Sequence, residues 1–163
     1  MLFRSDVLVI DFGGMRSTGI SAVAYNKLKE YLGLAGGATR LYDVFQQLAE
    51  PEPEILAKLG GDFVQLHRYA PAFGIRIDRW KPGRLPDGSA CLAPEGYDPI
   101  TNERGELEIR DGDVVVGRMP AGGLYFDQVL HPYADITTKP QIDRLCMRSE
   151  EHTSELQSRH NLV

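Results

Sequence analysis

The pattern of hydrophobic and polar residues changes character once along this chain, near Tyr69. Before that point, residues 7–10 form a short apolar run rich in branched side chains and predict one strand. Residues 62–67, with Phe63, Val64 and Leu66 among polar residues, predict a second. The first run is nearly continuous, as is typical of a strand that is buried on both faces.

Between the two predicted strands, apolar residues recur at helical spacing and predict helices. They do so over residues 20–32, 41–48 and 55–59. Ser17 or Thr18 can cap the first helix, Gly33 can end it, and Gly60 can end the third. A strand, helices and a second strand in this order predict a βα unit with parallel strand pairing.

After Tyr69 glycine and proline become frequent and the helical spacing disappears. The pairs Asp87-Gly88 and Asp111-Gly112 are typical of tight hairpin turns, and apolar residues flank the second pair. Residues 75–126 are therefore predicted to form an antiparallel β-hairpin insertion.

The charge balance narrows the class of partner. The chain has 18 basic and 23 acidic residues and a net charge of −5, which disfavours binding to nucleic acid or to an anionic membrane surface. No apolar run is long enough to suggest a membrane span. Cys91 and Cys146 lie far apart in no motif, so a reducing cytoplasm is the predicted location.

A candidate catalytic pair lies at the ends of the two predicted strands. Side chains alternate along a strand, so Phe63, Gln65 and His67 are expected on one face of the second strand and Val64 and Leu66 on the other. If both strands belong to a parallel barrel, Asp11 and His67 lie on the same rim, where the carboxylate can orient the imidazole. The alternative is a hydrogen-bonded structural histidine.

Residues 13–19 suggest a possible anion site. Free backbone N–H groups at the start of the following helix, with the charge of Arg16 beside them, can bind an anion. The simpler interpretation of Gly13-Gly14 is a tight turn after a strand.

Both ends of the chain resemble translated sequencing adapter. Residues 1–5 and 148–163 are similar to the conceptual translation of a standard library adapter, the first entered at a GTG start codon. We therefore expect residues 6–147 to be the protein insert, and residues 148–163 to be disordered. The alternative for the C-terminal stretch is an ordinary solvated polar tail.

Five stretches, taken together in order and spacing, resemble the uroporphyrinogen decarboxylase superfamily. They are residues 9–20, 42–51, 59–62, 85–98 and 119–127. The last two are most similar to a branch related to corrinoid-dependent methyltransferases. The resemblance implies an α/β fold, namely the N-terminal part of a (β/α)8 barrel, with residues 75–126 as the β-hairpin insertion.

The resemblance also implies roles for particular residues. True decarboxylases use a Met-Arg-x-x-Gly-Arg loop, whose start matches residues 15–19, whereas Ile20 replaces the second arginine. His67 and Arg68 stand where those enzymes carry an aspartate. The expected roles are catalytic for Asp11 and His67, and substrate binding for Arg16 and Arg68, with no metal ligand in this part of the chain.

These departures favour a parent enzyme that acts in corrinoid-dependent methyl transfer, with decarboxylation of a tetrapyrrole as the alternative. In the methyltransferase branch, zinc activates a thiol, and its ligands lie in a C-terminal half that this chain lacks. The fragment itself is expected to be inactive, because an open barrel leaves strand edges and apolar faces uncovered. The expected partners are a small-molecule substrate or a corrinoid protein. The competing hypothesis is a complete, non-enzymatic small α/β binding module.

Overall fold

Strands in the computed structural model of this chain are short and pair antiparallel. The structure describes residues 8–34, 39–131 and 133–143. The chain divides into two compact units, Met1–Val129 and Leu130–Val163, and all the named helices and strands belong to the first. Both predicted adapter segments, residues 1–5 and 148–163, lie outside the described residues.

The first unit begins with a short 3-10 turn and two helices separated by a small hairpin. The bounds are Arg16–Thr18 for the turn, Ala22–Tyr31 for α1, Leu41–Asp43 for β1, Leu48–Ala49 for β2 and Pro53–Leu59 for α2. The Ser21 hydroxyl caps α1 by accepting a hydrogen bond from Ala24 N at 3.3 Å. The cap is therefore Ser21, and the prediction of Ser17 or Thr18 was wrong.

The ends of α2 follow directly from the sequence. Pro53 occupies the first helical position, where its missing N–H costs no hydrogen bond. Gly60 ends the helix in the left-handed region at φ 72°, a conformation that glycine adopts without the steric cost of a Cβ atom. The predicted third helix is confirmed.

The helix predicted over residues 41–48 is wrong, because a buried aspartate turns the chain there. Asp43 Oδ1 accepts hydrogen bonds from Phe45 N at 2.9 Å and from Gln46 N at 3.0 Å. This side-chain capping closes a turn and competes with helical hydrogen bonding. Gln47 then adopts φ 56°, and the chain returns as β2, paired antiparallel with β1.

The rest of the first unit is the β region, made of two further sheets. Its strands are β3 (Trp80–Arg84), β4 (Ala90–Pro94), β5 (Ile100–Thr101), β6 (Leu107–Asp111), β7 (Val114–Met119) and β8 (Asp127–Gln128). Strands β3 and β4 form one sheet, and β5-β6-β7-β8 form the other in that order. Asp111 pairs with Val114, so Gly112 and Asp113 form the tight turn between β6 and β7. The antiparallel hairpins predicted within residues 75–126 are confirmed.

The predicted (β/α)8 barrel fragment is wrong. A barrel of this kind needs neighbouring parallel strands linked by helices, whereas the named strands form antiparallel sheets of two, two and four strands. Among the described residues, 8–10 and 62–67 form no ladder. They meet through Asp62, whose N–H donates to Ile10 O at 2.9 Å and whose Oδ2 accepts from Ile10 N at 2.8 Å.

One apolar core runs through the first unit. Its buried members are Ala22, Tyr25, Leu41, Val44, Ala49, Ile55, Ala72, Leu85, Cys91, Ala93, Tyr97, Ile109, Met119 and Phe126. At its centre the Phe126 ring packs edge-on against Phe73 at 6.4 Å and against Tyr97 at 6.3 Å between ring centroids. The core therefore joins residues from the helical region to residues from the hairpins.

The second unit is described over residues 130–131 and 133–143. Gln141 Oε1 accepts hydrogen bonds from Thr138 N at 3.0 Å and from the Thr138 hydroxyl at 2.8 Å. The Gln141 side chain thereby binds back to Thr138, at the start of a helical turn that covers residues 139–143.

Candidate functional site

A cavity of about 400 Å³ opens in the first unit, between the start of the chain, α2 and the segment that follows it. Its lining residues are Phe12, Gly13, Arg40, Glu50, Pro51, Glu52, Pro53, Leu56, Phe63, Val64, Gln65 and His67. Cavities of this size, with apolar walls and a few converging polar groups, are typical of small-molecule sites.

Glu50 is the polar centre of the cavity wall. Its Oε1 lies 3.4 Å from His67 Nε2, and its Oε2 lies 3.4 Å from Arg40 Nη1. Hairpin geometry brings Arg40 and Glu50 together, because Glu50 N donates to Arg40 O at 2.9 Å just beyond the β1–β2 pair. The Arg40 guanidinium also lies over the Trp80 ring, 5.4 Å from its centroid.

The contact with His67 keeps Glu50 ionised. Its pKa is lowered from the ordinary 4.5, chiefly by the hydrogen bond from His67 and despite the opposing effect of burial. In this arrangement His67 presents its Nε2 to the carboxylate, so Glu50 does not engage Nδ1. His67 Nδ1 is buried and has no hydrogen-bond partner among the described residues. It is available for a hydrogen bond to a molecule bound in the cavity.

Two further buried polar atoms lie around His67. The Tyr42 ring packs against the imidazole at 4.7 Å between centroids, and its hydroxyl makes no hydrogen bond with the described residues. Burial raises the pKa of Tyr42, against a smaller lowering by the neighbouring Gln65 side chain. Gln65 Oε1 is likewise buried and without a partner among those residues. Buried polar atoms without partners are uncommon and destabilising, so their clustering beside a cavity indicates that a bound molecule can supply their hydrogen bonds.

Glu52 connects the cavity to a buried ammonium group. Lys29 Nζ, which α1 holds almost fully inside the protein, lies 2.6 Å from Glu52 Oε2. The Tyr25 hydroxyl donates to the same oxygen at 3.1 Å and accepts a hydrogen bond from Glu52 N at 2.8 Å. Burial raises the pKa of Tyr25 well above its ordinary value. Glu52 is therefore fixed in position, because Lys29 and Tyr25, which do not line the cavity, both bind its Oε2.

Of the four residues predicted for the site, His67 lines the cavity and Asp11 does not. Asp11 Oδ1 accepts a hydrogen bond from Gly14 N at 2.7 Å and shapes the turn that presents Phe12 and Gly13. The partner of the imidazole is Glu50. The structure therefore contains the predicted kind of pair, a carboxylate beside an imidazole, but with a different carboxylate.

The two predicted substrate-binding arginines lie elsewhere. Arg16 forms an ion pair through its Nε with the buried Oδ2 of Asp43, so the guanidinium charge already has a partner within the protein. Arg68 is exposed and forms no ion pair with the described residues. Neither lines the cavity.

The strand alternation predicted for residues 64–67 is visible in the burial pattern. Gln65 and His67 face inward, whereas Val64 and Leu66 are exposed. Phe63, predicted on the same face as Gln65 and His67, is also exposed. The expectation that Val64 and Leu66 pack under helices was wrong. Glu50 and Arg40 were not predicted, because in the sequence they are only two charged residues that flank residues 41–49.

Among the described residues, no group of three or more His, Cys, Asp or Glu side chains is arranged to hold a metal ion. No helix in that part of the chain is long and apolar enough to cross a membrane. No protein-family model matches this chain, and comparisons with curated proteins and with solved structures found no match either.

Proposed function

We propose that the first unit binds a small organic molecule in the cavity beside Glu50, and that the site selects a ligand that donates hydrogen bonds. The observation that carries this proposal is the Glu50 carboxylate, held at the cavity wall by Arg40 and His67. A fixed, ionised carboxylate in a concave, partly apolar site is a strong acceptor for an amine or hydroxyl group.

The remaining polar groups of the wall support the same ligand class. Glu52 supplies a second carboxylate, and Gln65 Oε1 is an acceptor without a partner among the described residues. Carboxylate oxygens have several lone pairs each, so Glu50 and Glu52 can accept further hydrogen bonds beside those they already make. An anionic ligand would meet two negative side chains, against the single guanidinium of Arg40, which Glu50 already engages.

The apolar part of the wall defines the rest of the ligand. Phe12, Leu56 and Phe63 line the cavity and offer hydrophobic contact to a ring or a short aliphatic body. We therefore expect a compact amphiphile with an apolar body and an amine or hydroxyl end.

Three probes of one shape but different end groups test this selectivity. Benzylamine, benzyl alcohol and benzoate are titrated into the isotope-labelled full chain, and backbone amide shifts are followed by NMR. We expect the first two to shift the amides of residues 50–56 and 63–67, and benzoate to have a much smaller effect. Equal response to benzoate, or shifts confined to other regions, would refute the proposal.

Substitutions at two glutamates locate the site. Glu50→Gln should weaken benzylamine binding about tenfold, since the loss of one charge-assisted contact costs roughly 1.5 kcal/mol. Glu54→Gln makes the same chemical change on the exposed first turn of α2 and serves as the matched control. Affinity loss of equal size in both variants would point to nonspecific attraction by the acidic chain.

The proposal falls in the class of the non-enzymatic binding module raised as an alternative by the sequence. Methyl transfer with a corrinoid protein and zinc, and decarboxylation of a tetrapyrrole, stay predictions that rest on the resemblance alone. A cytoplasmic location likewise stays a prediction, which rests on the pattern of the two cysteines.

A further inference from the structure

The segment over residues 63–68 is an extended chain whose backbone is unpaired within the described structure. None of its N–H or C=O groups takes part in a hydrogen bond with the described backbone or side chains. Its side chains nevertheless alternate in burial as in a strand, with Gln65 and His67 inward. An extended segment of this kind can accept a further strand along its edge.

Two outward side chains of this segment are apolar and largely exposed to solvent. Val64 is 79% exposed and Leu66 is 96% exposed. Single exposed apolar residues are ordinary, but two on one face of an unpaired extended segment form a surface that a second strand would cover.

The sequence of the segment is complementary to itself in the antiparallel direction. If two copies pair about Gln65, Asp62 of each copy lies opposite Arg68 of the other, and Val64 lies opposite Leu66. Both charged residues are exposed, and Arg68 forms no ion pair with the described residues. Asp62 uses Oδ2 to accept a hydrogen bond from Ile10 N, which leaves Oδ1 for an arginine.

We infer that a second copy of this chain pairs with residues 62–68 through an antiparallel, two-fold symmetric strand ladder. Two-fold pairing creates every contact twice, so the two Asp62–Arg68 pairs close both ends of the ladder. The register follows from opposite charges at its ends and apolar pairs within it. A shift by one residue would put the apolar side chains opposite inward polar ones.

The contact is small, so the dimer should be weak and fast to exchange. The full chain is therefore studied by sedimentation equilibrium up to about 1 mM, the concentration at which even a dissociation constant near 1 mM is detectable. We expect a reversible monomer–dimer equilibrium. A chain that stays monomeric over this range overturns the inference.

Charge reversal tests the register. Arg68→Asp replaces two attractive pairs with two repulsive ones and should weaken the dimer at least about tenfold, since like charges directly opposite each other destabilise a ladder. The double variant Asp62→Arg with Arg68→Asp should recover most of that loss. The control Arg104→Asp changes the same charge at another exposed site and should have little effect. Equal weakening by Arg68→Asp and Arg104→Asp overturns the inference.

A disulfide provides a second measurement that does not depend on charge. Val64→Cys with Leu66→Cys, in a chain that also carries Cys146→Ser, should cross-link into a covalent dimer under mild oxidation, because the register places exposed residue 64 of each copy opposite exposed residue 66 of the other. The natural Cys91 is buried, and burial raises the pKa of its thiol to about 11, so it contributes little background. Val64→Cys alone, in the same chain, is the offset control. Cross-linking that is no faster for the double variant than for Val64→Cys alone overturns the proposed register.

Discussion

The β region, from Trp80 to Gln128, and the cavity region, from residue 8 to residue 67, are stabilised in different ways. In the β region, strands β3 to β7 satisfy one another's backbone groups through antiparallel ladders. In the cavity region, carboxylates satisfy backbone and side-chain donors, as the buried Asp43 does in its turn and the partly exposed Glu52 does beside Lys29.

This difference has consequences for what each region can do. Ladder hydrogen bonds are largely interchangeable between residues, so a hairpin tolerates most side-chain changes on its exposed face. A buried carboxylate depends on one particular partner, and loss of either member leaves the other unsatisfied. The region with the more demanding stabilisation is also the region that holds the cavity and leaves three polar atoms, at Tyr42, Gln65 and His67, unpaired within the described structure.

The largest effect is expected where the two regions share a core. Phe126→Ala removes the ring that packs against Phe73 and Tyr97, and should lower the free energy of unfolding by about 3–5 kcal/mol. Urea denaturation followed by circular dichroism measures this. Tyr125→Ala, at an exposed neighbour, should cost less than about 0.5 kcal/mol. If Phe126→Ala melted the hairpins and left the helical signal unchanged, the idea of one shared core would be wrong.

The buried ammonium of Lys29 gives the next largest effect and tests the cavity region alone. Glu52→Ala leaves that charge buried without its partner and should cost about 3 kcal/mol. Lys29→Met removes the buried charge itself and leaves Glu52, which is partly exposed and can be hydrated, so about 1 kcal/mol is expected. Urea midpoints of the two variants are compared under one set of conditions. Equal costs would show that Glu52 contributes through packing rather than through charge.

The loss of stability at low pH tests the contribution of the Glu50 carboxylate. The pKa of Glu50 is lower in the folded chain than its ordinary 4.5. Its contribution is therefore fully present above about pH 4.5 and is lost as the pH falls through the folded pKa. Glu50→Gln should reduce the difference in stability between pH 7 and pH 3 by about 1 kcal/mol, since the pair is partly exposed.

The control for this pH dependence is Glu54→Gln, which lies on the exposed side of α2 and should keep the wild-type profile. Unfolding midpoints in urea at several pH values give both profiles. A Glu50→Gln variant that loses stability in acid as steeply as the wild type would show that the contact with His67 does not stabilise the fold.

The same contrast explains how much of the fold could be predicted. Turns and helix ends depend on the conformational preferences of one or two residues, so Asp111-Gly112 predicts its hairpin, and Pro53 and Gly60 predict α2. The failed helix over residues 41–48 depends on Asp43, whose buried carboxylate accepts from two backbone N–H groups and pairs with Arg16. A hydrophobic period carries no information about that burial.

Prediction of the site was limited for the same physical reason. The alternation of side chains placed Gln65 and His67 on one face, because the period of an extended chain is a local property. The identity of the carboxylate beside His67 was missed, because Glu50 reaches it only through the β1–β2 turn. Asp11 was chosen on the assumption of parallel strands, and the described residues 8–10 and 62–67 do not pair in that way.

The smallest effect tests whether the β region depends on backbone geometry at all. Gly112 adopts φ 58° in the turn between β6 and β7, and no heavy atom would lie within 4 Å of an added Cβ. Any cost of Gly112→Ala is therefore conformational strain and not a clash, and should be about 1 kcal/mol. Gly112→Asn is the matched control, because asparagine tolerates this region and should cost only a few tenths of a kcal/mol. Thermal unfolding of both variants measures the difference. Equal costs would mean that the turn residue is fixed by its side-chain surroundings, as Asp43 is, and the contrast between the two regions would not hold at this position.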